Sequence, residues 1–211
     1  MRELLEELAR EPRRPGAPAR LRRYKAGEVI AHEGDLADTL HLVRSGRVAV
    51  SMTTQYGNQV TFTLLGPGDV FGELALLSPE ARRTAALTAL DATETVTLTK
   101  AEFDRLRAEQ PAFGDALTSL LAERVRRLSE QLVEALYVPA DARVLRRLLT
   151  VARLYEDGEV PLTQDDIAGL AGTARATVNR VLRAEVKRGT LELRRRRIRI
   201  LDRAAIEKRA L

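Results

Sequence analysis

Two stretches of this 211-residue chain bring anion-binding groups together at short spacing. In the first, Gly72-Glu73-Leu74 opens a short apolar run, and Arg83-Thr84-Ala85 follows it. A glycine lets the backbone approach a ligand closely, and a helical turn starting there aims free N–H groups outward. An arginine beside a hydroxyl offers a bidentate clamp for one phosphate charge. The Glu73 carboxylate repels phosphate but accepts from a sugar hydroxyl, so the set reads as phosphate plus ribose. The same residues would also serve as a structural Glu73–Arg83 pair capping a turn, and residue types alone leave both readings open.

The second stretch runs from Leu162 to Leu182 and reads as a helix-turn-helix. Thr163 is an N-cap, with Asp165 and Asp166 favourable in the first turn. Ile167, Ala168 and Leu170 face inward, Gly172 permits the sharp turn, and Thr173 caps the next helix. Val178, Val181 and Leu182 bury that second helix and leave Arg175, Ala176, Thr177, Asn179, Arg180 and Arg183 outside, a face that suits the major groove. A plain helical hairpin is the alternative. Beyond Gly189, Leu191–Leu193 and Ile198–Ile200 alternate as a small hairpin. Its connection, Arg194-Arg195-Arg196-Arg197, reads as a phosphate-contacting wing, with a merely solvated face as the alternative.

Catalytic and metal chemistry find little footing. The chain has no cysteine and two histidines, His32 and His41, nine residues apart. That pattern matches no nucleophile–base order and no metal spacing, so no enzyme and no metal are expected, and both histidines read as satisfied strand residues. The absence of cysteine also excludes a disulfide scaffold, in keeping with a cytoplasmic protein. No apolar run approaches the ~18–20 residues of a membrane span, and the helix-like Met1–Arg10 lacks a signal-peptide core.

The elements around these residues divide into a β-rich front and a helical back. From Lys25 to Thr99, short runs rich in β-branched residues alternate with turns: Arg47–Met52, Gln55–Asn58, Val60–Leu64, Gly66–Asp69, Thr84–Leu90 and Glu94–Thr99. Such spacing argues for a sandwich or jelly roll. Pro111 opens a helix that Val138-Pro139 ends, with Leu117, Leu121, Val125, Leu128, Leu132 and Leu136 on one stripe. The stripe fits either a helix-to-helix seam or packing on the chain's own barrel. Charge divides at the same place. Residues 1–138 hold 18 Lys/Arg against 20 Asp/Glu, whereas residues 139–211 hold 17 against 10. A basic back half points toward a polyanion.

Gly27–Asp35, Leu40–Val48, Gly66–Leu77 and Arg83-Thr84-Ala85 together resemble the cyclic-nucleotide-binding domain of the cyclic-AMP receptor protein (CRP/FNR) superfamily. By that resemblance Gly72, Glu73 and Leu74 approach the ribose and cyclic phosphate, Arg83 pairs with the phosphate, and Thr84 adds a hydroxyl and N–H. The family's central helix presents a Thr-Ser pair to the adenine. Alignment on Arg126-Arg127-Leu128 puts Gln131 and Leu132 there, of which only Gln131 has an amide for the base edge. The second helix of the back half is similar to the family pattern Ser-Arg-Glu-Thr-Val-x-Arg. Arg175 and Arg180 then match base-reading arginines, Thr177 a phosphate-facing hydroxyl, and Ala176 replaces the glutamate.

The resemblance implies an α+β chain: a jelly-roll cyclic-nucleotide-binding domain over 1–110, a long dimerisation helix over 111–138, and a winged helix-turn-helix over 139–211. It further implies a homodimeric, sequence-specific DNA-binding regulator, an activator, with cyclic AMP as effector and a palindromic site on double-stranded DNA. The expected contacts to DNA are Thr163, Arg175, Thr177, Asn179, Arg180, Arg183, Arg194, Arg195, Arg196 and Arg197. RNA polymerase is an expected partner, through the loop Tyr155–Glu159. The alternative is the same regulator acting without a small-molecule effector.

Overall fold

A computed structural model describes residues 19–55, 57, 59–155, 159–194 and 197–211. The Met1–Arg10 stretch, Tyr56 and Asn58 of the expected turn, positions 156–158 of the expected polymerase loop, and Arg195 and Arg196 lie outside the described residues. The chain forms two compact units, one of residues up to Thr53 with Leu64–Arg127, the other of Thr54–Thr63 with Leu128–Leu211. No helix among the described residues is long and apolar enough to cross a membrane.

The first unit is a jelly roll. Its strands are β1 (Ala19–Tyr24), β2 (Val29–Ala31), β3 (Thr39–Ser45), β4 (Val48–Thr53), the Leu64–Leu65 end of β5 (Gln59–Leu65), β6 (Val70–Phe71), β7 (Ala86–Ala89) and β8 (Thr93–Thr99). They form two sheets of order β1-β8-β3-β6 and β2-β7-β4-β5. Side chains alternate across a strand, and β3 uses both faces. Leu40 and Leu42 join a core with Val96 and Leu98, covered by helices α2 (Lys100–Glu109) and α3 (Pro111–Tyr137) through Phe103, Leu106, Phe113 and Leu117. Phe103 and Phe113 meet edge to face at 5.5 Å, a favoured aromatic geometry. Val43, on the other face, packs with Val48, Val50, Leu65, Phe71, Ala85 and Leu87.

Three elements differ from the reading of the sequence. β1, an Arg-rich segment with few β-branched residues, pairs along its length with β8 and was not expected. The strand expected from Thr84 begins at Ala86, because the preceding residues are tied elsewhere. Arg83 N–H donates to the Asp35 carbonyl at 2.8 Å, its carbonyl accepts from Gly34 N–H at 2.8 Å, and Ala37 N–H reaches Ala81 O at 2.7 Å. Helix α2 was also not expected, although Thr99 and Glu102 form a reciprocal capping box at its start.

The second unit contains α4 (Ala140–Ala152), α5 (Gln164–Ala171), α6 (Arg175–Lys187) and α7 (Arg203–Arg209), with a sheet of order β10-β11-β9 from Glu159–Val160 (β9), Leu191–Arg194 (β10) and Arg197–Ile200 (β11). Helix α4 buries Val144, Leu145, Leu148 and Leu149. Thr163 caps α5 in a capping box with Asp166, and Gly172 ends it at φ 58°, the left-handed region glycine tolerates. Thr173 does not cap α6: that position belongs to Ala174, which gives no side-chain cap. Arg194 and Arg197, expected in the connection, are strand residues facing one another in register. Glu159, expected in a loop, is in β9, opposite Arg199.

Candidate functional site

In the first unit, Gly72, which precedes the five-residue helix α1 (Glu73–Leu77), lies against the buried side chain of Arg83. Gly72 has φ 91°, and a Cβ there would lie 2.2 Å from Arg83 Nη1 and 2.7 Å from the Thr39 carbonyl oxygen. Only a glycine allows the guanidinium to come this close to the backbone. Arg83 is 7% exposed and Glu73 is 0% exposed, so neither charge has free access to water. Leu74 and Thr84 are exposed on either side.

The two charged groups are held by different neighbours. Arg83 Nη2 donates to the Thr39 carbonyl at 2.9 Å and to Thr39 Oγ1 at 3.0 Å. Glu73 Oε1 accepts from Arg124 of α3, whose other nitrogen donates to the Val70 carbonyl at 2.5 Å. Among the described residues Glu73 and Arg83 form no ion pair with each other, so the turn-capping pair is not what the fold builds. Arg83 Nη1 and Glu73 Oε2 are buried without a hydrogen-bond partner. Burial pushes the Glu73 carboxyl above the usual carboxylate range against the opposing pull of Arg124 and Arg83. It likewise lowers Arg83, against Asp38, Tyr24 and Glu73. Arg83 Nη1 is a buried donor and Glu73 Oε2 a buried acceptor, groups that a ligand offering an anionic oxygen and a hydroxyl, or ordered water, would satisfy.

Arg124, which holds Glu73, was not singled out in the sequence. It lies on the expected helix, but its contact with Glu73 spans 51 positions, and no local pattern signals it. Gln131, the residue expected to meet a base, is exposed on α3 seven positions farther along and belongs to the second unit.

In the second unit, α6 presents Arg175, Arg180 and Arg183 to solvent, with Thr177 and Asn179 half-buried. Several of these groups have partners. Arg180 grips Asp141 through two bonds of 2.8 and 2.5 Å, and this holds the Asp141 carboxyl below its usual range. Arg175 pairs with Asp165 at 3.0 Å, and Asn179 Nδ2 donates to Gln164 Oε1 at 3.0 Å. The Thr163 hydroxyl serves its own helix end, donating to Asp166 Oδ2 at 2.6 Å. Arg194 and Arg197 are exposed, and Arg197 reaches Glu159 at 2.8 Å. The face is a helix N-terminal half flanked by a hairpin, both rich in arginine, which is the charge and shape of a duplex-binding surface.

Comparison with known proteins bears on both units. The family profile described as a cyclic nucleotide-binding domain matches residues 21–110, and that of a Crp-like helix-turn-helix domain matches 142–209. A cyclic AMP receptor protein of Thermus thermophilus is 36% identical over 189 residues, spanning 88% of this chain and 86% of its own length. A CRP-like cAMP-activated global transcriptional regulator of Mycobacterium tuberculosis is 30% identical over 197 residues, 89% of this chain and 86% of its own. The crystal structure of a CRP-family transcriptional regulator from Thermus thermophilus superposes with a TM-score of 0.75 at 26% identity, covering 90% of this chain and 96% of that one.

Proposed function

This chain belongs to the CRP/FNR family of transcription regulators, a non-enzymatic family, and from that premise we propose that it is a homodimeric activator controlled by cyclic AMP. The pairing of orphan groups, Arg83 Nη1 as donor and Glu73 Oε2 as acceptor, is the observation that carries the effector reading. A cyclic phosphate supplies the anionic oxygen and its ribose the hydroxyl. Relatives whose names record cyclic AMP support the choice of nucleotide. The expected contacts to the ligand are Gly72, Glu73, Leu74, Arg83 and Thr84, joined by Arg124 through Glu73; Gln131 is retained as a candidate for the base edge.

The dimer reading rests on α3. Leu117 is buried in the chain's own core, whereas Leu128, Leu132 and Leu136 are 59%, 61% and 67% exposed on the continuation of the same stripe. A second copy of the helix would cover them. Two-fold pairing sets the recognition helices at a separation matching one DNA turn, roughly 34–36 Å, and hence favours a palindromic site. Arg175 and Arg180 each have the fork geometry for guanine O6 and N7. Activation further requires a surface for RNA polymerase.

An effector shifts an equilibrium only by binding the DNA-competent form more tightly. The decisive experiment therefore pairs calorimetric titration with cyclic AMP and a DNA-binding assay on a palindromic duplex with and without it. We expect saturable heat, a rise of at least about tenfold in DNA affinity, and loss of both in Arg83→Ala with the fold intact. Heat with no change in DNA affinity would replace this reading with a regulator that has no small-molecule switch.

A further inference from the structure

The pocket arginine is held by a buried polar relay that none of the ligand contacts above includes. Thr39 and His41 are two residues apart on β3 and therefore point to the same face, toward the opposing sheet. His41 is 2% exposed, stacked on Phe71 with ring centroids 4.5 Å apart. Its Nε2 lies 3.1 Å from Thr39 Oγ1, and its Nδ1 lies 3.2 Å from Thr95 Oγ1 on β8. Thr39 Oγ1 in turn accepts from Arg83 Nη2 at 3.0 Å and donates to Asp38 Oδ1 at 3.2 Å.

A hydroxyl has one proton and two lone pairs. With the proton directed to Asp38 and one lone pair taken by Arg83, the remaining lone pair faces His41 Nε2, which must then carry the imidazole proton. Nδ1 is left as an acceptor for the Thr95 hydroxyl. On the arginine, both protons of Nη2 are used on Thr39, one by the carbonyl and one by the hydroxyl, while Nη1 is buried with no partner.

We propose that Thr39 and His41 are positioning residues for Arg83: neutral His41, protonated on Nε2, orients the Thr39 hydroxyl, and Thr39 locks Nη2 so that Nη1 is the nitrogen presented to the ligand's anionic oxygen. The proposal rests on reading this pocket as a nucleotide-phosphate site. Burial, followed by the charges of Arg83 and Arg22, lowers the His41 pKa to about 3, which keeps the ring neutral at physiological pH. A protonated imidazole would turn a second cation toward the guanidinium and could not accept from Thr95. With the Thr39 carbonyl alone the second Nη2 proton would have no acceptor, so the hydroxyl adds the second point that holds the planar fork in one orientation.

The test uses the full chain and two readouts. The first does not depend on any nucleotide: nitrogen-15 spectra of His41 and of the Arg83 guanidinium. Wild-type His41 should show a protonated Nε2 and a bare Nδ1 throughout the neutral range, and Arg83 should show resolved, slowly exchanging Nη2 protons that average in Thr39→Val and return in Thr39→Ser. The second readout is calorimetry with cyclic AMP. Thr39→Val should weaken binding by about tenfold, the loss expected for one hydrogen bond to a charged group. Thr39→Ser should stay within about twofold, and His41→Phe, which keeps the stacking on Phe71, should fall between them. A proton on Nδ1, or an Arg83 guanidinium equally fixed in Thr39→Val, overturns the relay. Unchanged cyclic AMP affinity in both Thr39→Val and His41→Phe overturns its role in binding. Failure of the wild type to bind cyclic AMP overturns the pocket reading instead, and the spectra still decide the relay.

Discussion

Burying a histidine between two threonines beside an arginine makes the folded state sensitive to acid. The sign follows from the direction of the shift. A base whose folded pKa is depressed contributes its full stability above the unfolded pKa of about 6.5 and loses it as the pH falls toward the folded value. With the His41 folded value at about 3, the ring stays neutral in the native protein through the range in which the unfolded chain takes up a proton. Urea unfolding at pH 7 and pH 4 should therefore show an acid-side loss that His41→Phe reduces by about 3 kcal/mol. An equal loss in wild type and variant would mean that the ring protonates in place. Glu73 has the opposite sign: burial raises its folded pKa, so its share of stability is present in acid and declines as the pH rises through the raised value.

At the scale of the element, arginines on α4 do work that their charge does not announce. Arg143 Nε donates to the Ala171 carbonyl at 2.9 Å and its Nη2 to the Gly172 carbonyl at 3.0 Å, while Nη1 reaches Val138 O at 2.7 Å. Arg147 Nε adds the Leu170 carbonyl at 3.0 Å. The carbonyls of Leu170, Ala171 and Gly172 are those left over at the end of α5, where the turn into α6 begins, and that of Val138 lies just past α3. Arg143→Met, which keeps the stem packing, should lower the unfolding free energy by about 2 kcal/mol. Chemical denaturation reads the loss, and no change would assign these carbonyls to water. The basic excess of the back half was legible in the sequence, but not which cations face outward, because each of these contacts joins residues far apart in the chain. The same limit explains Arg124. By contrast, the β-branched runs of β4, β5 and β8, the N-cap Thr163 and the turn at Gly172 are local matters of side-chain shape and backbone freedom, and they stand where their residue types put them. β1 escaped notice because its arginines offer neither alternation nor branching, and its partner β8 lies beyond Thr93. Thr173 was misplaced by one residue, a shift that transfers the N-cap from a hydroxyl to the methyl group of Ala174.

For the molecule on DNA, the arginines divide by what they would touch. Arg194 and Arg197 sit in register on the hairpin with Glu192 and Glu159 nearby. We expect contacts from such positions to go to phosphate, where they carry no sequence information. Replacing both by glutamine should flatten the plot of log affinity against log salt by about 1.8 per protomer and weaken specific and random duplexes alike. A change in base preference would place the hairpin over base edges instead. Arg180 is another matter, since its guanidinium is already clasped at both terminal nitrogens by Asp141. DNA meets a hand that is full, and whatever it offers must be worth letting go of a carboxylate. A guanine edge matches that two-pronged grip, whereas a single oxygen of a passing backbone does not. Both partners of the clasp are exposed, so solvent already weakens it, and a ligand that takes the carboxylate's place gives up little.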